Sequence, residues 1–220
     1  MLAYKEWLKL RPAFLALLAA NAAFSLWLFL AIGARFRNEH AEMLFYQANH
    51  IGTLFYDPLR YVPLFTGIAL GVAQFLPEIT RGRLRLSMHL PVGLSSLVLQ
   101  HLAIGLGFLL VILALDTAAL ALTIATFFPG AFVASALATA APWLLAGVAG
   151  YLGTALVMLE PTRRFRATNL FVAGTIVWLC HLSDQYGAYE RVLPGLALLV
   201  ALLVPATLLP AFRYREGGRS

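Results

Sequence analysis

The chain has 220 residues, of which 61% are hydrophobic and 12% are charged, whereas an ordinary soluble domain is about 45–50% apolar and about 25% charged. From Leu94 to Leu159 the only formal charge is Asp116, so helices in this stretch would be apolar on every side and must face lipid. The net charge of +6 does not indicate nucleic-acid binding, because the basic residues lie in short runs between apolar segments. The single cysteine, Cys180, excludes an intramolecular disulfide.

Six apolar segments reach or approach the length of about 20 residues that a helix needs to cross a bilayer. They are residues 12–33, 59–76, 94–126, 131–159, 167–182 and 192–212. The first is longer than the apolar region of about 7–15 residues in a signal peptide, so we interpret it as a transmembrane helix. The pattern predicts an all-α integral membrane protein with one transmembrane domain over residues 1–220. Hydropathy alone also permits five or seven crossings.

The distribution of basic residues favours six crossings. Twelve of the sixteen Lys and Arg then lie on one side of the membrane, namely Lys5, Lys9, Arg11, Arg81, Arg83, Arg85, Arg163, Arg164, Arg166, Arg213, Arg215 and Arg219. The positive-inside rule makes that side cytoplasmic, which places both termini in the cytoplasm and the chain in the inner (plasma) membrane. An odd number of crossings would scatter these residues over both faces.

The first eleven residues have an amphipathic pattern. Ala3, Trp7 and Leu10 share one helical face, and Lys5 and Lys9 lie on another. This predicts a short amphipathic helix in the headgroup region. The alternative is a frayed tail whose lysines only set the topology.

Residues 78–91 join the second and third apolar segments and contain a second amphipathic pattern. As a helix, they place Arg81, Arg85 and His89 in one row and Leu84 and Met88 in the next. This predicts a short cytoplasmic helix. The alternative is an arginine-rich loop that rests on anionic headgroups.

Within this connection Glu78, Gly82, Leu84 and Pro91 have the spacing E-x3-G-x-L-x6-P. That pattern, together with the predicted topology, resembles the ABC-2 type permeases, the membrane subunits of type V ABC exporters. The chain departs from the family pattern after the glycine, where the usual Thr-Leu-Glu is Arg83-Leu84-Arg85. It also has His101 where the family often has a lysine.

The resemblance implies a transporter subunit that pairs with a second permease copy, identical or different, and with a separate ABC ATPase that binds ATP and Mg²⁺. A coupling helix over about residues 80–90 would contact that ATPase. The coupling residues implied by the resemblance are Glu78, Arg81, Gly82, Leu84, Arg85, Met88, His89 and Pro91. The departure at Arg85 implies that a basic contact replaces an acidic one.

The chain has no sequence motif for enzymatic chemistry of its own. It lacks the G-x-x-x-x-G-K-[ST] loop that binds nucleotide phosphates, and it also lacks H-E-x-x-H and G-x-S-x-G. We therefore expect a permease subunit that is not itself an enzyme and carries no cofactor.

Ionisable residues in or near the apolar segments are candidates for a transport pathway or gate. His101, Asp116 and Asp184 are the three that we select. Asp116 lies 22 residues after Leu94, which is roughly 33 Å along a helix, so a solvated helix end is the simpler interpretation. Asp184 follows the fifth segment, in a turn that is either a gate or a plain loop.

Two alternatives concern metals and haem. The external segment, residues 34–58, contains His40, Met43 and His50, whose side chains suit copper, but their spacing matches no recognised site and a polar cap is the simpler interpretation. A haem would need axial imidazoles at matched depth, whereas His101 and His181 lie near opposite ends of the bundle.

The alternative function is an ATP-independent membrane protein, either a secondary transporter or a haem-binding redox subunit.

Overall fold

The computed structural model describes residues 2–80 and 93–215, and within these ranges all regular structure is helical. The α-helices are α1 (Leu2–Asn38), α2 (Ala41–Tyr46), α3 (Val62–Thr80), α4 (Leu94–Phe127), α5 (Ala131–Leu159), α6 (Arg163–Cys180), α7 (Leu193–Ala206) and α8 (Leu208–Arg215). A π-helix spans Gln47–Ile51, and a 3₁₀-helix spans Asp57–Tyr61. The segment predicted to be the coupling helix lies outside the described residues, apart from the end of α3.

In the described ranges, five stretches of helix are long and apolar enough to cross a membrane, as in a multi-pass membrane protein. They are Glu6–Asn38, Asp57–Thr80, Leu94–Phe127, Ala131–Leu159 and Leu193–Arg213. The third and fourth agree with the predicted segments to within one residue. The predicted fifth segment corresponds to α6. This helix is not counted among the five because three of its 18 residues are arginine, which makes it too polar as a whole.

The prediction of a separate amphipathic helix at the N-terminus is wrong. Residues 2–11 are the first turns of α1, which continues without interruption to Asn38. Glu6 and Leu10 are fully buried in the bundle, and the Trp7 ring lies 5.5 Å from the ring of Phe108 in α4. The segment therefore packs along α4 instead of lying separately in the headgroups.

The bundle has two ends, each with its own apolar cluster. At the end that we call the terminal end, the start of α1 and the end of α8 contribute to one core that includes Leu10, Leu159 and Ala211. At the opposite end, the loop end, the connection between α1 and α3 packs on the α4–α5 turn, where the ring of Phe55 lies 5.6 Å from that of Phe128 between centroids. Successive long helices therefore run in alternating directions.

Helices α3 and α5 approach each other so closely that only glycine fits between them. A Cβ on Gly67 would lie 2.0 Å from the carbonyl oxygen of Gly147, and a Cβ on Gly147 would lie 2.7 Å from the carbonyl oxygen of Pro63. Small residues that let backbones meet are a common means of helix association in lipid, where the hydrophobic effect does not hold helices together.

The last apolar segment is divided into α7 and α8 at Thr207. Pro210 has no N–H to donate to the carbonyl of Ala206, and its ring crowds that carbonyl. The amide of Thr207 donates to the carbonyl oxygen of Leu203 at 3.1 Å, as in an α-helix, and also to that of Val204 at 3.2 Å, as in a tighter 3₁₀ turn. The predicted segment 192–212 is therefore two helices.

Candidate functional site: a buried ionic cluster at the terminal end

The most polar buried region of the described chain joins the start of α1 to the end of α3. The ammonium of Lys9 lies 2.7 Å from Glu6 Oε2 and 3.1 Å from Glu78 Oε1. Both carboxylates are almost inaccessible, at 0% and 1% exposure, whereas Lys9 is 13% exposed. Buried carboxylates are stable only when paired and hydrogen-bonded, so Lys9 holds the two helices together.

The same cluster extends to the start of α4 through His101. Its Nε2 lies 3.4 Å from Glu6 Oε1, an ion-pair distance without hydrogen-bond geometry. Its Nδ1 lies 3.0 Å from the carbonyl oxygen of Leu97, which can only accept, so Nδ1 carries a proton. Glu6, Lys9, Glu78 and His101 therefore bring two acidic and two basic side chains together inside the bundle. We call these four residues the ionic cluster.

Gln74 and Tyr151 connect the ionic cluster to α5. The amide nitrogen of Gln74 donates to Glu6 Oε2 at 3.3 Å and to the carbonyl oxygen of His101 at 2.8 Å. The Tyr151 hydroxyl donates to Gln74 Oε1 at 2.7 Å. A Cβ on Gly105 would lie 2.1 Å from both Gln74 Oε1 and the Tyr151 hydroxyl. This glycine in α4 therefore leaves the space in which the two side chains meet.

The ionic cluster flanks the connection that the sequence analysis selected. Glu78 lies in the last turn of α3, three residues before the undescribed segment, and α4 begins at Leu94, two residues after it. Arg81, Gly82, Leu84, Arg85, Met88, His89 and Pro91 all lie in that segment, outside the described residues. His101, selected as a pathway candidate, belongs to the ionic cluster.

The interpretation of Asp116 as a solvated helix end is wrong. Helix α4 continues eleven residues beyond it to Phe127, and Asp116 is only 3% exposed. It lies between Leu113 of the terminal-end core and Leu120 of the loop-end core. Its Oδ2 has no hydrogen-bond partner in the described part of the chain, so this carboxyl is an uncompensated buried polar group.

Asp184 is placed at the loop end, away from the ionic cluster, and it contacts the 3₁₀-helix that precedes α3. Its carboxylate forms an ion pair with Arg60, whose guanidinium also donates to the carbonyl oxygen of His181. The His181 ring stacks on Tyr61 at 5.0 Å between centroids, and its Nε2 lies 3.2 Å from the Arg60 carbonyl oxygen. These contacts join the α6–α7 connection to the 3₁₀-helix Asp57–Tyr61, at the opposite end of the bundle from His101.

The three metal candidates of residues 34–58 lie on or beside α2 and the π-helix. Met43 is exposed, and the His50 ring stacks on Tyr46 at 4.7 Å between centroids, while His40 precedes the first turn of α2. Among the residues that the structure describes, no group of three or more His, Cys, Asp or Glu is placed to hold a metal ion.

Two tyrosines, Tyr56 and Tyr186, lie at the loop end, outside the long apolar helices. Burial raises the pKa of both hydroxyls, so both remain protonated at neutral pH. Tyr186 donates to the carbonyl oxygen of Thr53 at 3.1 Å. The Tyr56 hydroxyl, although close to that of Thr139, makes no hydrogen bond of normal geometry with described residues.

A second ion pair at the terminal end fixes α8. Glu160 is fully buried just after the end of α5, and its Oε2 lies 3.1 Å from Nη2 of Arg213. Its backbone carbonyl accepts from Arg166 at 2.7 Å. The Arg213 guanidinium also lies 4.5 Å above the ring of Phe165. This contact and the ionic cluster together tie the first and last helices to the same end of the bundle.

Comparison of the chain with protein-family models, with curated proteins and with solved structures finds no match.

The sequence analysis missed Glu6, Gln74 and Tyr151. A usable signal exists for Gln74, because it is the only amide or charged side chain of α3 before its last turn. A polar side chain within an apolar membrane helix contacts another helix far more often than it faces lipid. Glu6 gives a weaker signal, since an acidic residue beside lysines in a short tail is also compatible with the surface.

Proposed function

We propose that this chain is the membrane subunit of an ABC exporter, driven by a separate ATPase that docks on residues 81–92. The observation that carries the proposal is the ionic cluster, which joins α1, α3 and α4 on both sides of that segment. The E-x3-G-x-L-x6-P pattern supports the same assignment, with its first residue, Glu78, buried in the cluster.

The cluster supports a coupling role because of the way force would pass through it. A docked ATPase that displaces residues 81–92 pulls on the end of α3 and the start of α4. Lys9 and Glu6 then carry the displacement to α1, and Gln74 and Tyr151 carry it to α5. ATP binding can thereby favour one arrangement of the helices over another, which is what a population shift requires.

The proposal includes six crossings, with the terminal end in the cytoplasm and the protein in the inner membrane. Helix α6 is the sixth crossing: its 18 residues rise about 27 Å, close to the hydrocarbon thickness of roughly 30 Å. Its three arginines lie at the terminal end, where long side chains reach the headgroups. Two such subunits, identical or different, form the transport pathway.

The test is co-purification of an ATPase with the tagged chain from native membranes, followed by measurement of ATP turnover. The chain alone should not hydrolyse ATP, since it has no phosphate-binding loop. Gly82→Leu and Arg85→Gln should lower ATPase recovery or turnover at unchanged membrane levels, and Arg191→Gln at the opposite end is the matched control. Normal assembly and turnover of both variants would refute the docking role of residues 81–92.

A proton-coupled secondary transporter is the second candidate. It is favoured by the buried, unpaired oxygen of Asp116 and by the Glu6–His101 pair, since ionisable groups inside membrane bundles mark ion pathways. Proteoliposomes that contain only this chain distinguish the two candidates. Proton entry that is driven by a pH gradient and abolished by Asp116→Asn would favour this second candidate over the ABC subunit.

A further inference from the structure

An apolar groove of about 470 Å³ opens on the outer surface of the bundle between α3 and α6. Its floor is the small-residue face of α5, and its walls are aliphatic side chains of α3 and α6. Leu64 and Val72 belong to one wall, Gly150 to the floor, and Leu170 and Gly174 to the other wall. The hydroxyl of Thr154, also in the floor, donates to the carbonyl oxygen of Gly150 at 2.7 Å. The one polar side chain among the lining residues therefore already donates its proton within its own helix.

The size and position of the groove suit a hydrocarbon chain. From Leu64 to Val72 the wall runs about 12 Å at a rise of about 1.5 Å per residue. One leaflet of a bilayer has a hydrocarbon depth of roughly 15 Å, half of the full core. A polar substrate would find no hydrogen-bond partner here, whereas an acyl chain needs none.

Two arginines that form no ion pair within the described part of the chain lie beyond one end of the groove. Arg163 is seven residues before Leu170, so both lie on the same face of α6, about 10 Å apart along the helix axis. Arg163 and its neighbour Arg164 are exposed and form no ion pair with any described residue. At the loop end, by contrast, Arg60 is already engaged by Asp184 and the His181 carbonyl.

We infer that this groove binds one acyl chain of an anionic phospholipid, whose phosphate lies against Arg163 at the terminal end. Basic residues between or beside membrane helices are the usual sites for anionic headgroups. The inference requires only that the bundle lies in a membrane, and it is independent of whether an ATPase drives the protein.

Gly174 provides a way to fill the groove without disturbing the fold. It lines the groove, and a Cβ at this position meets nothing within 4 Å. Gly107 is the matched control, because it is also exposed within a helix and also has nothing within 4 Å, but it lies on α4, away from the groove. Leucine at either position changes the helix propensity equally.

The experiment is native mass spectrometry of the delipidated full chain titrated with phosphatidylglycerol or with phosphatidylcholine of the same chains. The unaltered chain should bind one phosphatidylglycerol more tightly than phosphatidylcholine. Gly174→Leu should weaken that binding by about tenfold or more, whereas Gly107→Leu and Gly174→Ala should not. Arg163→Gln should lower the preference for phosphatidylglycerol by about fivefold, and Arg191→Gln should leave it unchanged.

Three results would overturn the inference. Equal binding by Gly174→Leu and Gly107→Leu, with equal thermal stability, would show that the groove holds no lipid. Equal binding of the two lipids by the unaltered chain would refute the anionic headgroup. Loss of a dimer in Gly174→Leu, with lipid binding unchanged, would show that a second copy of the chain fills the groove.

Discussion

Replacing Glu6 with glutamine tests the ionic cluster most directly. The Glu6 carboxylate is fully buried and contacts Lys9 at 2.7 Å, Gln74 at 3.3 Å and His101 at 3.4 Å. Glutamine keeps the shape but removes the charge, so Lys9 retains only Glu78 as an acidic partner among the described residues.

Removing one partner of a buried ion pair costs about 3–5 kcal/mol. The lower value applies here, because Lys9 is 13% exposed and still lies 3.1 Å from Glu78. For a chain of this size a loss of about 3 kcal/mol corresponds to a fall in Tm of roughly 6–12 °C. We expect this fall for the protein in detergent, where thermal unfolding is measured by intrinsic tryptophan fluorescence.

Glu42→Gln is the matched control, because Glu42 is exposed at the opposite end of the bundle and should change stability by less than about 0.5 kcal/mol. A second comparison tests the pairing itself. If Glu6 and His101 stabilise each other, Glu6→Gln combined with His101→Gln should lose less than the sum of the single losses, by about 0.5–3 kcal/mol. Equal Tm values for Glu6→Gln and Glu42→Gln would show that the cluster contributes no stability.

Three further predictions follow from the packing and the charge distribution. Gly67→Ala should sharply lower the yield and Tm of folded protein, because a Cβ at Gly67 would lie 2.0 Å from a backbone oxygen of α5 and α3 and α5 would have to separate by about 1 Å. Gly107→Ala is the control and should leave both quantities unchanged. Asp116→Asn should leave Tm equal or raised, since it removes a buried acid with an unpaired oxygen; a fall comparable to that of Glu6→Gln would contradict this. In a cysteine-free background, Arg164→Cys should react with impermeant maleimide only from the cytoplasm and Gln185→Cys only from outside, and external labelling at position 164 would exclude the proposed topology.

The sequence predicted the helices whose limits depend on local signals. Helices α4 and α5 were placed correctly because Pro129 and Gly130 interrupt a continuous apolar run, and such residues end helices wherever they lie. The start of α3 was placed three residues early, since Asp57 and Pro58 begin a 3₁₀-helix that hydropathy does not distinguish from an α-helix. These errors are small because the information lies within the segment itself.

The larger errors concern how segments face one another. The amphipathic pattern of residues 1–11 predicts a helix in the headgroup region, but Lys9 has two buried carboxylate partners, one of them 69 residues away. The distance of Asp116 from Leu94 along α4 predicts a solvated helix end. That distance does not reveal that α1 and α5 continue beside α4 and cover the side chain. Helical periodicity defines a polar face, but it does not identify the helix that covers that face.

Two different kinds of contact determine the alignment of the helices along the bundle, and they lead to different expectations for movement. In lipid the apolar surfaces of helices gain little by meeting each other, so alignment must come from close backbone contact or from polar side chains. Between α3 and α5 it comes from glycines that contact the backbone of the other helix, so these two helices cannot slide past each other without a clash. Between α1, α3 and α4 it comes from the ion pairs of the ionic cluster, which tolerate a small shift of the helices better than backbone contacts do. We therefore expect α3 and α5 to move as one body, and the ionic cluster to be the place where α1 and α4 change position relative to that body.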